Sequence, residues 1–374
     1  MSLLTERVIR ITGESATPFV NASNVYPDGA APMYRDADGS LWAMCGHTHM
    51  GEIAMFRGRS LDDLKKAYPI RTLFATGHAD TAFSGVLYPE GIRPRGSIWP
   101  FGLYICPVTH RFFCLFHNES GWNGQGSAYD ALGLCETPAF DSDFRHVGLM
   151  HSDDEGRTWV FDRWVLTADT VCCTRAFVPD LSPIRGQEMG RVSLGSGDFS
   201  FFAPPDGEYL YILYNIIHVN TYRRAWEDCD VYIARARRRT DGTMADFVKF
   251  YDGSFCEAGN LGRETPVVRN AWHPHMTWFA RYQTYLMAAS QIRPGPLPGA
   301  VQDLMVVRES PDMIHWSEPV TALYQGQPFG NHYVALFPQD DISPACAVPG
   351  DDFAILTNHN GTDIRRHDAR LEPR

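Results

Sequence analysis

The chain of 374 residues is poor in lysine: Lys65, Lys66 and Lys249 stand against 30 arginines. It has no basic excess either, with 33 basic against 44 acidic residues and a formal charge of −11. That balance excludes the basic face a nucleic-acid or anionic-membrane binder needs, so neither partner is expected. No run approaches the ~20 apolar residues that cross a bilayer. Residues 1–20 have no apolar core followed by small residues, so no signal peptide is expected. The nine cysteines are scattered with no CxxC pair. They read as buried, reduced thiols, which suits a cytoplasmic protein. The P-loop, the Rossmann glycine pattern, HExxH and GxSxG are all missing, which disfavours nucleotide-dependent and serine-hydrolase chemistry. Helical periodicity is scarce as well; the one candidate is residues 60–67, with Ser60 as N-cap.

What is present is material for strands and turns: 44% apolar residues, 13% aromatics, 32 glycines and 25 prolines. A hairpin recurs, consisting of a short apolar strand, a polar turn and an aromatic-rich strand. It spans residues 31–46, 97–118, 199–215, 275–290 and 333–358. Five such hairpins, each extended by one or two further strands, predict an all-β fold. The architecture expected is a single five-bladed β-propeller of four-stranded antiparallel blades over residues 1–374, with a long insertion around 119–198. The segment from Arg7 to Thr12 is expected to add an outer strand to the last blade and close the ring.

A second repeat, Ser-x-Asp, occurs at Ser60, Ser152 and Ser310. The middle copy, Ser152-Asp-Asp-Glu-Gly-Arg-Thr-Trp159, matches the Asp-box. Ser and Asp bond to turn amides, Gly supplies a positive φ, and Trp packs beneath. These are fold markers rather than catalytic groups.

In a propeller the leading end of each innermost strand and the far end of its partner meet at one mouth. That rule gathers Asp28, His47 and His49 from the first blade, and Arg95, Trp99, Glu119 and Trp122 from the second. The third gives Asp198 and Asn215. The fourth gives His273, His275 and Gln291, preceded by a loop with Glu257 and Glu264. The last gives His332 and His359. Carboxylates, imidazoles, amides and indoles are the mixture that sugar hydroxyls and ring faces require, so a carbohydrate partner is expected. Two carboxylates across the mouth suit glycoside cleavage. Arg145 is read as a group for a substrate carboxylate or an ion pair. The pairs His47/His49 and His273/His275 have a spacing that can present two rings to one metal.

Asp28-Gly-Ala-Ala-Pro-Met-Tyr-Arg-Asp-Ala-Asp-Gly-Ser-Leu-Trp resembles the first-blade motif of the five-bladed family 43 glycosidases. The resemblance implies that Asp28 is the general base. The segment from Asp198 to Tyr211 is similar to the motif carrying a second Asp, which orients the acid and tunes its pKa. Gly330-Asn-His332 resembles a last-blade segment that places a His near an axial calcium; no other cofactor is implied. The family's second Asp comes from blade two, whereas Asp198 falls in blade three, and no Glu matches the acid cleanly. Glu119, Glu264 and Glu257 are the candidates; exchanged roles or a His acid stay open. The expected activity is that of a glycoside hydrolase on an oligo- or polysaccharide, by inversion. A non-catalytic carbohydrate-binding propeller, a sialidase-like exo-glycosidase and a metal-dependent enzyme are the alternatives.

Overall fold

A computed structural model describes residues 3–17, 25–47, 51–72, 97–119, 145–167, 191–204, 207–220, 225–294, 301–339, 346–359 and 363–374. All five expected hairpins form. Strand Met33–Arg35 pairs with Leu41–Cys45, Ser97–Ile105 with Phe112–Glu119, and Arg191–Phe202 with Tyr209–Asn220. Trp272–Phe279 pairs with Thr284–Pro294, and Val334–Phe337 with Asp352–His359. All these pairs are antiparallel and continue outward as meanders. The first sheet adds Ala54–Gly58 and Lys65–Pro69. The second adds Arg145–Ser152 and Thr158–Leu166 from within the expected insertion. The third adds Ala225–Arg238 and Met244–Tyr251, and the fourth Val301–Ser310 and Val320–Thr321. Among the described residues two parallel pairs, Gly195 with Arg145 and Thr167 with Asn260, join the second and third sheets.

The last sheet takes its outer strand from the other end of the chain. Arg7–Ala16 lies antiparallel to Asp363–Pro373, as the sequence predicts.

Inner strands are buried on both faces and read as continuous apolar runs: every residue of Leu41–Cys45 and of Phe112–Glu119 is buried. The outer strand Lys65–Pro69 alternates in exposure. Apolar clusters fill the gaps between sheets in a cycle. One joins the first three sheets through Trp42, Phe116 and Tyr214. Another joins the third and fourth through Leu213 and Met287. The fourth meets the last through Leu286 and Ile355, and the last meets the first through Leu356 and Phe56. The leading strands of all five sheets line one cavity, at Met33, Phe101, Phe199, Met276 and Leu336 among others.

The helix expected at residues 60–67 does not form. Asp63 Oδ1 accepts the backbone N–H of Arg59 (2.7 Å) and of Ser60 (2.6 Å), which closes a turn. Residues from Lys65 then join the sheet. In this copy of the Ser-x-Asp repeat Asp63, not Asp62, holds the turn; Asp62 pairs with Arg366. The other two copies behave as read. Gly156 N–H donates to Ser152 Oγ (2.8 Å), and Trp159 Nε1 donates to Gly156 O (2.9 Å). Met313 N–H donates to Ser310 Oγ, and Trp316 Nε1 to Met313 O.

Candidate active site

Two residues two apart on one strand share a face. On strand Phe112–Glu119 this puts His117 and Glu119 together at the mouth end. Asp198 N–H donates to His117 Nδ1 (2.9 Å), so the ring proton is on Nε2, which donates to Glu119 Oε1 (2.9 Å). Arg145 opens the next strand. Its Nη2 lies 2.9 Å from Glu119 Oε1 and its Nη1 3.7 Å from Asp198 Oδ2. Gly197 makes this packing possible: a Cβ there would lie 2.6 Å from His117 Cε1 and 2.9 Å from Arg145 Cδ. Glu119 and Asp198 are both buried. Burial alone would raise them. Arg145 and His117 outweigh it at Glu119, holding that carboxyl below its ordinary value. At Asp198, His273, His117 and Arg145 outweigh it and hold the group well below the carboxylate range.

Asp28 behaves in the opposite way. Burial first, then the charges of Glu119 and Asp198, push it up to about 6. Trp99 Nε1 donates to Asp28 Oδ2 (3.1 Å), and the indole stacks on His47 at 5.1 Å between centroids. Tyr333 closes the group. Burial and the charges of Asp28, Asp198 and Glu119 push its phenol well above the ordinary value, so it stays a donor.

His273 has φ 52°, which is uncommon for a residue with a Cβ. Its N–H donates to Asn215 Oδ1 (2.6 Å), and Asn215 Nδ2 donates to the carbonyls of Asp230 and Ala271. Asn215, expected to bind substrate, therefore spends its amide on fixing this backbone. His273 Nδ1 lies 3.1 Å from Asp198 Oδ2, and its Nε2 lies 2.8 Å from His332 Nε2. Burial holds His273 below the usual imidazole value, against the pull of Asp198.

The pair His273/His275 is not one ligand set. A register shift between Trp272 and His275 breaks the strand alternation. His275 lines the axial cavity, accepts Leu336 N–H on Nδ1 (3.1 Å), and is pushed down to about 4 by burial. An axial calcium does not fit at His332 either. Calcium requires six to eight oxygens, whereas His332 presents two ring nitrogens that face His273 and Asp303. His117, Glu119 and Asp198 are spaced like metal ligands, but the Arg145 guanidinium lies against both carboxylates and both nitrogens of His117 are engaged.

Glu257 and Glu264 stand apart from this group. Glu257 is on the edge strand Ser254–Ala258 and pairs with Arg263 (2.6 Å). Glu264 pairs with the buried Lys249 and accepts Tyr214 O–H (3.2 Å). Gln291 sits on strand Thr284–Pro294 opposite Leu304, and His359 ends strand Asp352–His359. His49, Arg95 and Trp122 lie outside the described residues. Reading the sequence missed Asp303 and Tyr333 and did not rank His117. Only His117 carried a signal, its two-residue spacing from Glu119.

No family model and no curated protein matches the chain. Solved structures do. A family 117 glycoside hydrolase produced by the marine bacterium Zobellia galactanivorans superposes with a TM-score of 0.51 at 11% identity, covering 98% of this chain and 91% of that one. The chain shares the fold of this glycoside hydrolase. A GH93 α-L-arabinofuranosidase of Fusarium graminearum, solved with arabinobiose, gives 0.46 at 12% identity over 96% of this chain and 98% of that one. An α-L-arabinofuranosidase from Lactobacillus brevis gives 0.45 at 12% identity over 94% and 92%. Trp99, Asp198, His273 and Tyr333 lie on or just ahead of the leading strands of the second to last sheets, Asp28 lies ahead of the first, and His117, Glu119 and Arg145 come from the second and third strands of the second sheet.

Proposed function

We propose that the protein is a glycoside hydrolase acting on an oligo- or polysaccharide, built as a five-bladed propeller with a four-stranded core in each blade. The observation that carries this reading is the separation of carboxyl groups by environment. Glu119 and Asp198 are fixed as anions, while Asp28 beside them is held near 6. Pairs pushed apart in this way mark acid–base assignments. At neutral pH Asp28 is ionised and about a hundredfold more basic than an ordinary carboxylate, which suits deprotonation of a water.

The leaving-group proton comes from the imidazole pair. Glu119 is held ionised by Arg145, and Glu257 and Glu264 are ion-paired away from the group. His273 is oriented by Asp198, and His332 beside it is 36% exposed and accessible to substrate. The neutral Tyr333 hydroxyl donates to a sugar oxygen. The similarity to glycosidases, two of them arabinofuranosidases, makes arabinosides the first substrates to try, with xylosides, galactosides and fructosides beside them.

The test is a screen of aryl glycosides and oligosaccharides read by product chromatography, followed by Asp28→Asn on whatever is cleaved. Turnover should fall by about 10²–10⁴-fold. An active Asp28→Asn protein would remove the assignment. Glycan binding without hydrolysis would favour a carbohydrate-binding propeller.

A further inference from the structure

Away from the mouth, the fourth sheet and the first residues of the chain enclose a second cleft. Its volume of about 660 Å³ lies in the range of small-molecule sites. Strand Thr284–Pro294 begins there, and Thr284 stands opposite Phe279, six residues beyond His273. At about 3.3 Å per residue the cleft is roughly 20 Å from the group around Asp198, too far for one sugar ring to touch both.

The Ser310 copy of the Ser-x-Asp turn supplies one wall through Trp316. The indole is half-buried, and its Nε1 is spent on Met313 O (2.9 Å). Among the described residues no second ring and no guanidinium stacks on it, so it offers the cleft a bare aromatic surface. Gln283, exposed at φ 50°, and Glu6, in the first turn of the chain, also line the cleft. The Gln283 amide and the Glu6 carboxylate have no partner among the described residues. His315 turns Nδ1 to Asp312 (2.7 Å) and leaves Nε2 open.

The other charges of the cleft are already answered. Arg7 lies over the Tyr282 ring (5.3 Å) and 3.6 Å from Asp351 Oδ1, and Glu309 Oε2 accepts the Leu4 N–H (2.9 Å). No unpaired arginine or lysine is left to hold a phosphate or another anion. What remains is a two-oxygen acceptor, an amide that both donates and accepts, a ring nitrogen and an aromatic surface. A neutral ligand dense in hydroxyls, with apolar ring faces, uses all four.

We propose that this cleft is a second, non-catalytic carbohydrate site that holds the polymer the mouth attacks. This rests on the glycosidase reading above. A sugar ring lies against Trp316, two neighbouring hydroxyls donate to the Glu6 carboxylate, and the Gln283 amide bonds a third. Binding here keeps the mouth at a high local concentration of the same polymer.

The experiment is affinity electrophoresis of the full-length Asp28→Asn protein in native gels containing arabinan, xylan, galactan or fructan. One of these should slow migration, increasingly with its concentration. Adding Glu6→Ala together with Gln283→Gly should weaken that binding about tenfold or more. Glycine adopts φ 50° without strain, so the turn is kept. Trp316→Ala, checked by circular dichroism, should abolish the retardation; if it unfolds, the double substitution decides. Retardation that survives the double substitution unchanged would show that the mouth alone binds, and would overturn the proposal. Migration unaffected by all four polysaccharides would overturn it as well. Failure of the glycosidase reading is seen separately, as hydrolysis that Asp28→Asn leaves intact, while the double substitution still decides whether the cleft binds glycan.

Discussion

Asp28 is a carboxyl that the fold strains by holding it above its ordinary value. Because its native value is raised, the folded protein binds this proton more tightly than the unfolded chain does. The cost of ionisation is present in full above pH 6 and is relieved as pH falls toward 3.8. Asp28→Asn should therefore raise stability at pH 7 by about 2–3 kcal/mol while lowering turnover by about 10²–10⁴-fold, with the gain vanishing near pH 4. Paired urea melts at the two pH values check this; equal stability at both would show that Asp28 is not strained. For the same reason kcat/KM of the wild-type enzyme should fall as pH drops through about 6, as the base becomes protonated. Arg145 has the opposite role. Arg145→Met leaves two buried carboxylates without their shared cation and should cost about 3–5 kcal/mol. A loss below about 1 kcal/mol would mean that His117 and His273 suffice.

Among the elements, the Ser-x-Asp turns and the site separate stability from chemistry. Trp159 is buried in the turn from Ser152 to Trp159, on the outer pair of strands of the second sheet. Trp159→Ala should lower stability by about 3–5 kcal/mol and leave kcat/KM at 25 °C unchanged. A change in kcat/KM with stability intact would reverse that assignment. The strand Trp272–Phe279 shows how one element serves two purposes. Its register shift and the positive φ of His273 turn one imidazole toward Asp198, while His275 stays in the axial cavity. Strict alternation, the only rule a sequence offers for a strand, put both rings on one face. The same limit explains the helix expected at residues 60–67. Ser60 reads as its N-cap, but Asp63 closes a turn there, and pairing of Lys65–Pro69 with Ala54–Gly58 overrides local propensity.

At the scale of the whole molecule, the sheets pack in a cycle, and the first strand of the chain completes the last sheet. Deleting residues 1–16 should expose the edge of Asp363–Pro373, lower the melting temperature and promote aggregation. Scanning calorimetry with light scattering measures both; an unchanged transition would show that closure is not what holds the ring. The strand pattern, the hairpins and this closure were legible in the sequence because hydrophobic alternation and turn chemistry are local. So were Asp28, Glu119 and Asp198, since each borders the apolar run of an inner hairpin. The chain by itself determined which hairpins reach the mouth, and with them Asp28, Glu119 and Asp198. Tertiary structure alone decided what they do there. Protonation depends on burial and on charges brought alongside in space: Arg145, on the adjacent strand, beside Glu119, and His273, from the fourth sheet, beside Asp198. Those partners lie 26 and 75 positions away along the chain, and Coulomb's law acts through space rather than along the backbone.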